Sequence, residues 1–139
     1  MAIRAFLSFV EEDLNLVNLF RGQAKSARND LEFADYSIKV PFNSTNVQYI
    51  SNGIITQIRP ATLTVCLYGT STYKSEWVDW ELKKTLELGK PIMGVCLFSD
   101  DRVRFYPAPL KDWPRVPWDI PAIIRTMNSL ANQYRSAAG

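Results

Sequence analysis

Two short apolar runs, Leu63 to Tyr68 and Pro91 to Phe98, constrain this chain most, because a nearly unbroken aliphatic stretch suits a strand covered on both faces. Such strands belong to parallel sheets, whose neighbours are joined by crossover helices. Between the runs, Lys74 to Leu88 has helical spacing, with Asp79 and Lys83 four apart in the favourable acid-before-base order and Gly89 marking the end. Both runs are expected to be central strands.

The rest of the chain keeps alternating between strand and helix periods. Ile3 to Val10 reads as a first strand. After the acidic Glu11-Glu12-Asp13, apolar residues at Val17, Phe20, Ala24, Ala27 and Leu31 mark an amphipathic helix. Tyr36 to Val40 reads as a second strand closed by Pro41. Thr45 and Gln48 have capping-box form, and Val47, Ile50, Ile54 and Ile58 continue a helix until Pro60. Ser99 to Trp118 carries four of the eight prolines and is expected to be irregular, with Val103 to Tyr106 a candidate fifth strand. Asp119 caps a last helix that tolerates Pro121 in its first turn. The pattern predicts an α/β fold: a flavodoxin-like, doubly wound parallel sheet of four to five strands with helices on both faces and right-handed crossovers. One domain is expected over residues 1–139.

Composition narrows the chemistry. The 139 residues include no histidine, which removes the Ser-His-Asp triad, the Cys-His dyad and any histidine-ligated metal. Carboxylates, hydroxyls, lysine and tyrosine are left, and no metal site is expected. Sixteen basic and 14 acidic residues give a net charge of +2 and are interleaved along the chain, so no nucleic-acid footprint is indicated. The apolar start after Met1 is too short for a membrane span and lacks a cleavage site, so a cytoplasmic protein without membrane association is expected. Cys66 and Cys96 lie inside apolar runs and read as inert thiols.

Ligands of doubly wound sheets bind outside the carboxyl ends of the strands. Here those ends are the segment from Ser8 to Asp13, the loop from Pro41 to Thr45 and the loop from Gly69 to Tyr73. Glu11, Glu12 and Asp13 would repel a flavin phosphate after the first strand. A receiver domain would need an aspartate where this chain has Leu67-Tyr68-Gly69, and neither GxGxxG nor a P-loop lysine motif is present. The hydroxyl cluster Thr70-Ser71-Thr72 is either an anion site at a helix start or a plain loop and cap.

Trp77 and Glu81 are four apart on the helix after the third strand, so they share a face, with Thr85 and Leu88 continuing it. That face lies about 60° round from the Val78, Leu82 and Leu86 stripe, placing Glu81 at the edge of the buried side. An acid beside an indole can orient a sugar hydroxyl or meet a developing cation. On spacing alone, a solvated glutamate and a packing tryptophan are the commoner reading of such a pair.

Taken together, Arg4-Ala5-Phe6-Leu7-Ser8-Phe9, Thr64-Val65-Cys66-Leu67-Tyr68-Gly69-Thr70-Ser71-Thr72, Ser75-Glu76-Trp77-Val78-Asp79-Trp80-Glu81-Leu82 and Gly89-Lys90-Pro91-Ile92-Met93-Gly94-Val95 resemble, in order and spacing, the TIR-like domains, in particular the ThsB subunits of bacterial Thoeris anti-phage defence. The resemblance runs from about Arg4 to Phe98 and is loose beyond. It implies a core over 1–98 followed by a proline-rich segment and C-terminal helix over 99–139. It also implies that Glu81 is catalytic, that Trp77 stacks on the substrate, and that Ser8 and Phe9 line the nucleotide site. Asn43, in a loop shorter and less glycine-rich than many of its kind, is the expected substrate contact there, and Thr70 and Ser71 would touch a pyrophosphate.

The activity so implied is cleavage of the nicotinamide–ribose bond of NAD+, which is substrate and not cofactor; no other cofactor is expected. The product would be a cyclic ADP-ribose isomer acting as second messenger on a partner effector protein. A phage-derived trigger and homo-oligomer assembly are further partners it implies. The alternative is a non-catalytic TIR-like module acting through self-association or nucleotide binding, with the tryptophans and prolines of Glu76 to Trp80 and Trp113 to Trp118 as exposed interface residues.

Overall fold

The computed structural model describes residues 2–35 and 47–138, with side chains through 134. Strands β1 (Arg4–Ser8), β2 (Glu32–Ala34), β3 (Leu63–Tyr68), β4 (Ile92–Cys96) and β5 (Arg115–Pro117) form one sheet in the order β2-β1-β3-β4-β5. Each neighbouring pair is parallel. Helices α1 (Leu14–Ala27), α2 (Val47–Ile58), α3 (Glu76–Glu87) and α4 (Ile120–Ala138) cover its faces. This is the doubly wound arrangement that the alternating pattern predicts, with the order reversing between β1 and β3.

Side-chain alternation along the strands assigns the two faces. Ala5, Leu7, Leu63, Val65, Leu67, Met93 and Val95 pack against Val17, Phe20 and Ala24 of α1 and Ile123, Met127 and Leu130 of α4. On the opposite face Phe6 packs with Ile50, Ile54 and Ile58 of α2 and with Trp77. Beside that group, Cys66, Tyr68 and Ile92 meet Val78 and Leu82 of α3 and Leu110 of the loop before β5. The predicted Asp79–Lys83 pair forms at 2.8 Å. Gly89 takes φ +79°, a left-handed conformation suited to glycine, immediately beyond α3. Asp119 starts α4 by accepting a hydrogen bond from the Ala122 amide at 3.3 Å.

Several boundaries differ from the sequence expectation. The strand beside β1 is Glu32–Ala34, and the expected second strand at Tyr36 to Val40 lies outside the described residues, as does Thr45 of the capping box. Leu31 does not extend the first helix: α1 ends at Ala27, and Leu31 is buried in the turn leading to β2. The fifth strand is not at Val103 to Tyr106 but at Arg115–Pro117, where a three-residue edge strand pairs with Gly94 to Cys96. Its exposed, proline-ended sequence carries none of the apolar signal that revealed β3 and β4. Cys66 and Cys96 are free, the first buried and the second half-buried.

Candidate active site

Helix α3 is aimed by its cap. Ser75 Oγ accepts a hydrogen bond from the Val78 amide at 3.1 Å, and from there the helix runs back over β1 and β3 toward their amino ends. Trp77 and Glu81 consequently face the carboxyl half of the sheet. Glu81 is only 3% exposed, so the edge position expected from the helical wheel is wrong, and the solvated reading fails with it. A wheel registers one contact surface, whereas α3 has two, the sheet below it and the neighbouring α2 beside Trp77.

Ser8, itself fully buried at the end of β1, donates its hydroxyl to Glu81 Oε1 at 2.6 Å. Burial raises the Glu81 carboxyl from its ordinary 4.5 to about 8; the Ser8 hydrogen bond opposes that rise and the charge of Asp35 adds to it. Cys66, paired with Ser8 in the β1–β3 register, has its thiol pushed well up by burial and then by the Glu81 charge. Its raised pKa leaves the acid mostly protonated at neutral pH.

Glu81 is braced from behind. Thr85, one turn further along α3, donates to the Glu81 carbonyl at 2.8 Å, and its oxygen lies 2.7 Å from that of Thr64 on β3. Thr85 has one proton and spends it on the carbonyl, so Thr64 is the donor between the two hydroxyls. Trp77 is 8% exposed, walled by Phe6, Ile50, Ile54 and Ile58, and meets Trp80 edge-on at 5.9 Å.

The remaining expected residues are distributed around the same strand ends. Phe9, half-buried, packs toward the α1–α4 side with the Arg21 guanidinium 6.0 Å from its ring centre. Arg21 also pairs with Asp35 at 2.9 Å. Thr70 is exposed, while Ser71 donates its hydroxyl to the Glu12 carboxylate. Asn43 lies outside the described residues. The tryptophans expected at an exposed interface are not exposed: Trp77 is buried, and Trp80, Trp113 and Trp118 are half-buried against the core.

Sequence reasoning did not pick out Thr64, Thr85, Asp35 or Asp13 as individuals. Helical spacing puts Thr85 on the Trp77–Glu81 face, but its bond to Thr64 depends on a strand 21 residues away in sequence. Asp13 is 8% exposed and its Oδ2 has no hydrogen-bond partner. That oxygen lies 2.7 Å from where a Cβ on Gly69 would sit, so a larger residue there would push the Asp13 carboxyl aside. Burial first and the Glu12 charge second raise its carboxyl above the ordinary range.

The Thoeris protein ThsB TIR-like domain family matches residues 6–102. Among solved structures, the TIR domain of the Toll-related receptor TRR-2 from Hydra magnipapillata superposes with a TM-score of 0.60 at 15% identity, covering 94% of this chain and 97% of that one. A 2-deoxyribosyltransferase from Bacillus psychrosaccharolyticus superposes with a TM-score of 0.59 at 19% identity, covering 86% of this chain and 89% of that one. No curated protein is significantly similar in sequence. At such identities the two structures speak to the fold, while the family match spans most of the chain and includes Ser8, Trp77 and Glu81. The chain belongs to the TIR-like domain family of the Thoeris protein ThsB.

Proposed function

We propose that this protein cleaves the nicotinamide–ribose bond of NAD+, with Glu81 as the catalytic carboxylate. The observation that carries the reading is a glutamate 3% exposed, anchored by Ser8 at the strand ends where such sheets bind ligands. A buried acid with a strongly raised pKa is a costly arrangement, and such groups cluster at functional sites.

In this reading the positively charged nicotinamide ring approaches the carboxyl and lowers its pKa, so the ionised form is made on binding. Glu81 then accepts hydrogen bonds from the ribose hydroxyls. As the bond between ring nitrogen and anomeric carbon breaks, its electron pair leaves with nicotinamide, which departs neutral and needs no general acid. The sugar becomes oxocarbenium-like, and the carboxylate stabilises that charge in surroundings poor in water. Trp77 closes one wall of the site. Capture of the anomeric carbon by a hydroxyl of the same ADP-ribose gives a cyclic isomer; capture by water gives free ADP-ribose. Either step releases one proton. A small cyclic product would diffuse to an effector protein in the defence system. The shared fold with a 2-deoxyribosyltransferase, described for the synthesis of nucleosides, supports chemistry at a sugar carbon on such a scaffold.

The test is nicotinamide release from NAD+, measured with the protein alone and with infected-cell extract to supply a trigger. Glu81→Gln and Glu81→Ala are expected to lower the rate about 100- to 1,000-fold while leaving the protein folded. A rate that survives both substitutions removes Glu81 from the chemistry.

A second reading draws on a surface feature. Phe105, 59% exposed, packs at a tilt against Tyr73 with ring centres 5.0 Å apart, and Arg115 lies over Tyr106 at 4.1 Å, which is the composition of an association surface. Defence activity that persists in Glu81→Gln and is lost in Phe105→Ala would favour this interaction module.

A further inference from the structure

The crevice where the strand order reverses, between the ends of β1 and β3, has an acidic floor that the cleavage mechanism leaves unused. Asp13 projects over Gly69 with Oδ2 unpartnered although the residue is more than nine-tenths buried. Its acidic neighbour is already engaged, since Glu12 accepts the Ser71 hydroxyl. The Gly69 amide is engaged too, donating to Thr72 Oγ1 at 2.8 Å. Among the described residues no group of three or more acidic or thiol side chains converges to hold a metal ion. What this floor lacks is a hydrogen-bonding partner for one carboxyl group.

We propose that Asp13 recognises the carboxamide of the nicotinamide ring and so selects the amide over the corresponding acid. The assignment rests on the catalytic reading of Glu81, which fixes where the anomeric carbon lies. Cys66 stands in the Ser8 row that holds Glu81, and Gly69 is three residues further along the same strand direction, about 10 Å on. That is the span from a carboxylate on the ribose to the far side of a nicotinamide ring. The adenine end lies beyond two phosphates and a second ribose.

The chemistry of the amide fits this group. A primary amide offers an N–H donor and a carbonyl acceptor, so it pairs with Asp13 whether that carboxyl is ionised or protonated. Burial first and the Glu12 charge second favour the protonated form of Asp13 more than in an exposed aspartate. Rotation about the Cβ–Cγ bond is soft and turns either oxygen toward the crevice. A carboxylate in place of the amide would face Asp13 and Glu12 together, and like charges so close repel.

The experiment has a binding arm and a turnover arm. Tryptophan fluorescence is titrated with free nicotinamide and with nicotinate, for the wild type, Asp13→Asn and Asp13→Ala, with circular dichroism to establish folding. The wild type is expected to prefer nicotinamide by about 100-fold, as like-charge juxtaposition costs several kcal/mol. Asp13→Asn, isosteric and able to donate to a carboxylate, is expected to narrow that ratio below about tenfold, and Asp13→Ala to weaken nicotinamide without reversing the order. Turnover of NAD+, its nicotinic-acid analogue and its hypoxanthine analogue is then compared. Unchanged amide preference in both variants overturns the assignment while leaving NAD+ cleavage standing. A penalty on the hypoxanthine analogue that Asp13→Asn relieves also overturns it, placing adenine at Asp13. Amide-selective binding that depends on Asp13, without NAD+ cleavage, upholds the assignment and removes the catalytic reading.

Discussion

The two faces of the sheet are built differently. Against α1 and α4 the strands present one continuous apolar cluster, with Phe20 at its centre touching Phe33 at 5.8 Å and Trp118 at 6.5 Å. Against α2 and α3 the packing splits into two apolar groups, and the buried polar side chains Ser8, Thr64, Glu81 and Thr85 lie along the division. The strands are the same, so the difference lies in what their alternate residues were asked to do. One face holds the fold together, and the other gives up part of that contribution to keep a carboxyl group in an apolar setting.

The largest effect on stability should therefore come from the first face. Phe20→Ala removes a fully buried ring whose neighbours sit on β2, α1 and the approach to α4, and is expected to cost about 3–5 kcal/mol. Urea unfolding would measure it. A loss below about 1 kcal/mol would show that this face is as loosely packed as the other.

The second face should respond with the opposite sign. Glu81 has an ordinary pKa of 4.5 and a folded pKa of about 8, so within that window the folded chain keeps a proton that the unfolded chain has released. Its contribution to stability is unfavourable, grows as pH rises from 4.5 to 8, and is level above 8. Glu81→Gln retains an acceptor for Ser8 and cannot ionise. It is expected to raise stability by a few kcal/mol at pH 8, on about 1.4 kcal/mol per pKa unit, and hardly at all at pH 4.5. Thermal unfolding across that range checks both the sign and its pH dependence. A variant equally stabilised at both ends of the range would locate the effect in packing and not in charge.

This asymmetry explains which parts of the molecule were legible in the sequence. Leu63 to Tyr68 and the segment around Ile92 to Cys96 declare themselves because both their faces are covered, leaving only Thr64 to interrupt the apolar runs. Glu32–Ala34 and Arg115–Pro117 do not, being three-residue edge strands held by pairing more than by composition. The Trp77–Glu81 spacing was legible as a shared face, but the burial of Glu81 was not, because it depends on α2 packing beside α3. Asp13 was visible only as part of an acidic run. Its isolation follows from Gly69, which lies far along the chain and comes within reach only when β1 and β3 pair.

The same charge balance should appear in the kinetics. If the ionised carboxyl is the active form, kcat/KM for NAD+ rises about tenfold per pH unit up to a limb near 8, set by Glu81 in the free protein. Bound pyridinium favours the carboxylate, so the limb in kcat lies at lower pH. Nicotinamide release between pH 5 and 9 would show the separation. Coincident limbs would mean that the substrate's charge does not reach Glu81.

The smallest effect separates bracing from chemistry. Thr64 and Thr85 share one buried hydrogen bond behind Glu81, and the Glu81 carbonyl also accepts from Thr85 Oγ1. Thr85→Val strips Thr64 of its acceptor inside an apolar layer and is expected to cost about 1–3 kcal/mol. Adding Thr64→Val replaces both hydroxyls by methyl groups of the same shape, so the double variant should recover most of that loss. The helix bond to the Glu81 carbonyl remains in every variant, and kcat should change by less than about tenfold because the carboxyl is still anchored by Ser8. A double variant that regains stability but stays inactive would mean that the hydroxyl pair fixes the carboxyl more tightly than Ser8 does. The polar division of this face would then extend one helical turn deeper into the site than Glu81 itself.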